Sequence, residues 1–290
     1  MHPTLQNVDR VEELLQRQTN DLPYDYKSLF PVDGFWAKRA SQKRLAFLKR
    51  IDDELRALLW PGERVAFLTS GVLVSFWESY FLGLPMYYLN RRALILTNER
   101  LILVQIDSRR RPRELRSQVL LRAIGKVGST LLGNVTLRLE AGKQYTIAYM
   151  PRRDRRALIG LTATMRGQAT KTGAAEAIEH LCPHCYVVVA DHPVECPSCH
   201  GAFKSSKTAG LRSLLFPGLG DIYLGHWRFA IFEILVTSFF WLSVLLPDET
   251  RADRDRLAGA IVVFLLFHVP DAIATRYVAR QGHYPSATVS

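Results

Sequence analysis

Two long apolar segments near the end of the chain constrain it most. Residues 229–246 read FAIFEILVTSFFWLSVLL, 18 residues with one acid, Glu233. Residues 257–279 read LAGAIVVFLLFHVPDAIATRYVA, with Asp271 and Arg276 confined to the second half. Each approaches the ~20 apolar residues needed to cross ~30 Å of hydrocarbon. Both are apolar on all faces, whereas a helix lying on a soluble core carries one apolar stripe. That disfavours the alternative of a buried hairpin in a large core. Between them, residues 247–256 form a short polar loop with three Arg and four acids. The expectation is a transmembrane α-hairpin over 229–280 and a tail at 281–290, with both chain ends on one side.

Ahead of the hairpin, residues 205–228 are apolar but contain Pro217, Gly218 and Gly220, which break a continuous helix. An interfacial or re-entrant segment is expected there rather than a third span, with Tyr223 and Trp227 suited to the interface. Glu233 and Asp271 are intramembrane acids, which usually face a partner or a cavity. Arg228 or His226 could partner Glu233, and simple snorkelling from near the end of the span is the equal alternative. Residues 71–89 are also long enough to span, but Glu78, Pro85 and six aromatic side chains favour part of a soluble sheet.

The formal net charge is +11, and residues 59–160 hold 17 Lys and Arg against 7 acids, nearly all of the excess. Two runs dominate: Arg109, Arg110, Arg111 and Arg113, then Arg152, Arg153, Arg155 and Arg156. Such runs attract nucleic acid or the negative cytoplasmic leaflet, with a solvated loop as the alternative. The first residues lack the charged and apolar regions of a secretory signal. Together with the free thiols described below, this points to cytoplasmic N-terminal domains and a cytoplasmic C-terminus; the family resemblances below imply that the membrane is a bacterial inner membrane.

Residues 1–59 show helical spacing, at 8–17 and again at 41–59, where Leu45, Leu48, Ile51, Leu55, Leu58 and Leu59 recur. Residues 60–166 read as strands. Segments 92–97 and 100–106 flank a tight turn at Asn98-Glu99. Segment 135–140 alternates, and 144–150 returns after a turn at 141–143. Residues 153–165 then read as a helix, so a β-sandwich or barrel with a C-terminal helix is expected. Residues 167–179 form a linker. Within this region, residues 94–103, LILTNERLIL, resemble a hairpin of bacterial pleckstrin-homology-like (PH-like), or GRAM-like, domains. The resemblance covers roughly residues 62–165. It implies a β-sandwich capped by a helix, often beside membrane segments, that binds lipids or peptides. Thr97, Asn98 and Arg100 read as turn chemistry.

All four cysteines fall in one C-x2-C-x10-C-x2-C pattern: Cys182, Cys185, Cys196 and Cys199. Four thiolates suit a closed tetrahedral Zn2+ site at ~2.3 Å, which is structural because no position stays open. Gly201 is expected to turn backbone amides toward sulfur. Two disulfides and a rubredoxin-like Fe site are the alternatives. His184, His192 and His200 read as supporting or surface residues. Residues 180–204 resemble a zinc ribbon, which is too small to fold without its ion. Residues 215–225, LFPGLGDIYLG, are similar to a stretch of TM2-type two-span membrane modules. That likeness covers about residues 209–280, supports the hairpin and supplies no activity. Asp221 departs from it, since a neutral polar residue is common there.

No Walker loop, dinucleotide-binding glycine pattern, G-x-S-x-G or H-E-x-x-H is present, and GKVGST at 125–130 lacks the upstream glycine. No enzyme is expected. The reading is a multidomain α+β membrane protein acting as a non-enzymatic adaptor, whose PH-like domain engages membrane lipids of anionic charge or a protein partner. The alternatives are a membrane-tethered nucleic-acid-binding regulator, an electron-transfer protein, and a transport accessory centred on Glu233 and Asp271.

Overall fold

A computed structural model describes residues 23–30, 35–74, 89–131, 133–171, 176–246 and 253–286. The helix expected at 8–17 and the core of the 71–89 segment lie outside the described residues. The chain forms two compact units, Met1–Glu179 and His180–Ser290.

The first unit opens with α1 (Tyr26–Leu29) and α2 (Phe35–Leu58). Strands β1 (Val65–Val74), β2 (Arg91–Thr97), β3 (Arg100–Ile106) and β4 (Pro112–Leu120) follow as an antiparallel meander. A 3-10 turn at Leu121–Ala123 leads to β5 (Ile124–Ser129), β6 (Val135–Leu139), β7 (Gln144–Ala148) and α3 (Arg152–Gln168). The two meanders join because β1 is long. Its residues 65–72 pair with β2, and 72–74 pair with β7. The strand order in this unit is β5-β6-β7-β1-β2-β3-β4. The expected sandwich or barrel is thus one open antiparallel sheet. Closure would need β5 to reach β4, but β5 stands at the end of the order beside β6 alone. The first basic run is also partly strand rather than loop, since Arg113 lies in β4.

Alternation fills one face. Leu94, Leu96, Leu101, Leu103, Val135, Leu137 and Leu139 cluster with Leu158 of α3. The intervening Leu68, Ile95, Ile102 and Val104 are buried as well. Helix α2 packs on β1 and β4 and buries Phe47, Leu48, Ile51, Leu55 and Leu58, spaced for one helical face. Leu45 and Leu59 are only half-buried, and Phe47 takes the expected place of Leu45. Coverage on both faces explains why β3 is buried along its whole length.

The TNER turn is fixed by a buried ion pair. Arg100 donates from Nε and Nη2 to the two Glu63 carboxylate oxygens at 2.9 Å each, and from Nη2 to the Leu58 carbonyl at 2.6 Å. Its guanidinium stacks 3.6 Å from the Trp60 ring, and Gln118 Oε1 accepts a further hydrogen bond. Thr97 Oγ1 donates to Glu63 at 2.7 Å and accepts from the Arg100 amide at 3.0 Å. Asn98 Oδ1 accepts from the Arg64 amide at 2.7 Å. The motif is a structural lock between the end of α2 and the β2–β3 turn.

In the second unit, β8 (Glu179–Leu181) enters the cysteine region. Helix α4 (Ser206–Leu215) is capped by Ser205, whose Oγ accepts from the Thr208 amide. The chain breaks at Pro217-Gly218, with Gly218 at φ +89°, before the short α5 (Leu219–Leu224). Helix α6 (Trp227–Leu245) runs for 19 residues. Helix α7 (Asp253–Val263), a π-helical turn (Phe264–His268) and α8 (Val269–Ala279) run on as one rod. The π turn sits just ahead of Pro270, which cannot donate a backbone hydrogen bond. Small residues let α4 and α8 approach closely: a Cβ at Gly210 would lie 3.1 Å from the Ala272 carbonyl oxygen. The end of the chain is not a free tail through Ser286. Pro285 bridges Phe203, Lys204 N donates to the Tyr284 carbonyl at 2.8 Å, and Ser286 N donates to that of Ala202 at 3.0 Å.

Candidate functional site

The four cysteines converge on one point. Cys182 Sγ lies 3.7 Å from Cys199 Sγ, Cys185 Sγ lies 3.7 Å from Cys196 Sγ, and all four sulfurs lie within 4.8 Å of one another. Sulfur pairs at 3.7 Å are not bonded, since a disulfide spans about 2.05 Å. A regular tetrahedron with ligands ~2.3 Å from its centre has edges of about 3.8 Å. The geometry therefore suits a metal ion held by four thiolates.

Two matching knuckles build it. In the first, Cys182 N donates to Val187 O at 2.9 Å and Tyr186 N to Cys182 O at 3.0 Å. In the second, Cys196 N donates to Gly201 O and His200 N to Cys196 O, both at 2.9 Å. Each knuckle turns through a left-handed residue, Tyr186 at φ +61° and His200 at φ +57°. The turn residue is thus His200 rather than the expected Gly201. Gly201 instead leaves room for a side chain, because a Cβ there would overlap the His184 ring. The bridges Leu181–Val188 and Glu195–Ala202 close the two loops. Burial pushes the Cys182 thiol up to about 12, against the pull of the Cys185 and His184 amides. Burial opposes ionisation of Cys196 too, but the amides of Cys199 and Ser198 bring it down to about 7. An ion bound here must displace protons, above all from Cys182.

The basic runs separate. Arg109, Arg110 and Arg111 occupy the β3–β4 turn, while Arg152, Arg153, Arg155 and Arg156 occupy the first turns of α3. One member of each, Arg110 and Arg153, lines a common cleft. Arg155 instead donates to the Gly133 carbonyl, and Arg113 stands 4.0 Å from Glu114.

Glu233 has different neighbours from those expected. Carboxylate oxygens of Asp221, Glu233 and Asp271 lie within 4.8 Å of one another. His226 pairs with Asp221 instead, Nδ1 to Oδ1 at 3.0 Å, and Arg228 is exposed. The cause is the start of α6 at Trp227. His226 becomes its N-cap and turns back to α5, while Glu233 sits two turns further on. Asp271 accepts from the Gly218 amide at 3.0 Å, and Thr275 Oγ1 stands 3.3 Å from both Asp221 and Asp271. Asp221 and His268 were not singled out as site residues by the sequence. His268 is buried, with Nε2 accepting from Trp241 at 2.9 Å and Nδ1 at 3.0 Å from the Leu214 carbonyl.

Two helices, Trp227–Leu245 and Arg254–Ala279, are long and apolar enough to cross a membrane, and only 11% and 17% of their apolar windows are buried. Phe232, Leu235, Phe239, Ile261 and Leu265 all face outward.

No family model and no curated protein matches the chain. Among solved structures, the linker-DH/PH domains of p115-RhoGEF are similar over 47% of this chain at 10% identity, with a TM-score of 0.30. An N-terminally truncated form of those domains is similar over 58% at 10% identity and TM-score 0.29, and a point mutant of the DH/PH domains over 58% at 9% and 0.28. The matched part spans 47%, 42% and 43% of those chains. Likeness at this level decides neither fold nor function.

Proposed function

We propose that the chain is a membrane-anchored, non-enzymatic adaptor. The hairpin of α6 with α7–α8 crosses the bilayer. The four cysteines hold one structural Zn2+ as a ribbon. The sheet unit, read as PH-like, engages anionic lipid or a protein partner at the cytoplasmic face of a bacterial inner membrane. The outward apolar faces of the two long helices carry this reading, because monomeric soluble proteins rarely expose contiguous apolar patches beyond a few hundred Å². Seven antiparallel strands followed by α3 support the PH-like part. The basic runs lying on the leaflet would supply ~1 kcal/mol per well-placed Arg.

Hydrogen exchange of the full chain in lipid nanodiscs tests it, with bound metal quantified in parallel. One zinc per chain is expected, with protection at 108–113 and 152–156 only in anionic bilayers. Equal exchange in neutral and anionic bilayers would remove lipid engagement and leave a protein partner. Bound iron would overturn the structural role of the cysteine site.

A further inference from the structure

We propose that the cleft between α2, β1 and the start of α3 is a phosphomonoester-binding site. It rests on the reading that this unit engages an anionic ligand, and gives that ligand a place and a chemistry. The cleft has a volume of about 660 Å³, within the ~300–1,000 Å³ of small-molecule sites. Its wall includes Lys43, Arg44, Phe47, Thr69, Arg110 and Arg153, with Asp154 as the one acid among the described lining residues.

Asp154 is already satisfied. Its Oδ1 accepts from Arg44 at 2.8 Å, and its Oδ2 from Thr69 Oγ1 at 2.7 Å. Arg44 is occupied as well, since it also donates to the Leu29 carbonyl at 2.6 Å. Lys43, Arg110 and Arg153 remain, and among the described residues none of the three forms an ion pair. Arg110 is the unusual one. The tight turn from Asp107 holds it left-handed at φ +61° and lays its guanidinium 5.2 Å from the Phe47 ring. Partial burial and the neighbouring Arg91 and Arg50 hold its pKa below the ordinary range. Partly burying Arg110 beside other cations is unfavourable unless an anion joins them, while Lys43 and Arg153 at the exposed rim are free to close on it. Pro151 also lines the cleft and opens the 17-residue α3 without a side-chain cap. The first amides of that helix therefore lack intrahelical partners and favour an anion.

Three free cations match a dianion better than a monoanion. A phosphomonoester loses its second proton near pH ~6, whereas a diester carries one charge at most. Arginine also grips phosphate oxygens in pairs. The shared chemistry is a terminal phosphate, supplied by a lipid headgroup such as phosphatidic acid or by a soluble ester.

Calorimetric titration of the full chain in uncharged micelles separates these sources. The probes are glycerol 3-phosphate, dihexanoyl phosphatidic acid and dihexanoyl phosphatidylglycerol. The expected result is binding of one or both monoesters at least tenfold tighter than the diester, weakening as pH falls below ~6. Binding of glycerol 3-phosphate identifies a soluble or headgroup source, and binding of phosphatidic acid alone identifies a lipid source. K43Q/R153Q should weaken the monoester at least tenfold, and K126Q/R138Q, an equal charge loss elsewhere on the sheet, less than twofold. Equal binding of all three probes, with equal weakening by both double variants, would overturn the site while leaving anionic-lipid engagement intact. No binding of any probe would overturn the site and the lipid reading together.

Discussion

The two units solve the same problem in opposite ways. In Met1–Glu179 the sheet is covered on both faces by the chain's own helices, and the deeply buried Arg100–Glu63 pair is locked by hydrogen bonds. In His180–Ser290 the hydrophobic cluster around the cysteines, among the described residues, is small, with Cys182, Val189, Cys196 and Phe203 and with Cys185 beside it, and the long helices turn their apolar sides outward. The first unit carries its own source of stability. The second carries four clustered thiols that could hold an ion and two helices long and apolar enough to cross a bilayer, and on the proposed reading its surroundings supply both.

The largest effect should come from removing the ion. In zinc-finger peptides the metal supplies about 10–16 kcal/mol of folding free energy. Chelation, or Cys182→Ser, should open residues 181–204 and 283–286 to protease while the transition of the sheet unit stays put. Retained protection there would break the contrast. Acid should act in the same direction. The Cys182 thiol, raised to about 12, must release its proton to solvent for its thiolate to bind the ion, and below about 7 Cys196 holds a proton that must be released as well. Metal affinity should therefore fall as pH falls, and more steeply below neutrality, as competition with a coloured chelator would read.

Next comes the lock of the first unit. Arg100→Ala leaves Glu63 buried and uncompensated, which should cost about 3–5 kcal/mol in denaturant unfolding of that unit. The metal content should not change. Leu55→Ala, on the buried face of α2, should cost about 2–4 kcal/mol. A loss below ~1 kcal/mol would mean that α2 does not form part of the sheet's core. The smallest effect is expected at Ser205→Ala. Loss of the α4 cap should cost about 1 kcal/mol and show as faster amide exchange at residues 206–209.

How much was legible in the sequence follows from what each signal depends on. The cysteine cluster was legible because knuckle spacing is local, and the β2–β3 and β6–β7 hairpins because alternation and turn residues are local too. The covering role of α2 was not, since a helical stripe says that a face is buried without saying against what. The same limit hid the neighbours of Glu233. Residues 221, 233 and 271 meet only after the break at Gly218 and the close packing of α4 on α8. His268 and the π turn were hidden for that reason too, inside what reads as a plain apolar run. The sheet's open form depended on β4 and β5 parting at a single 3-10 turn, which no residue pattern announces.

The membrane-anchored role proposed for this chain depends on the outward apolar hairpin crossing a bilayer, and its topology can be read from tags. Epitope tags would be placed at the N-terminus, within residues 248–250 and at the C-terminus of the full chain, in sealed inner-membrane vesicles of known orientation treated with protease. If the hairpin spans, the two terminal tags are cleaved together and the loop tag is protected, or the reverse in vesicles of opposite orientation. All three tags behaving alike would contradict that role, because the two helices would then not cross the bilayer.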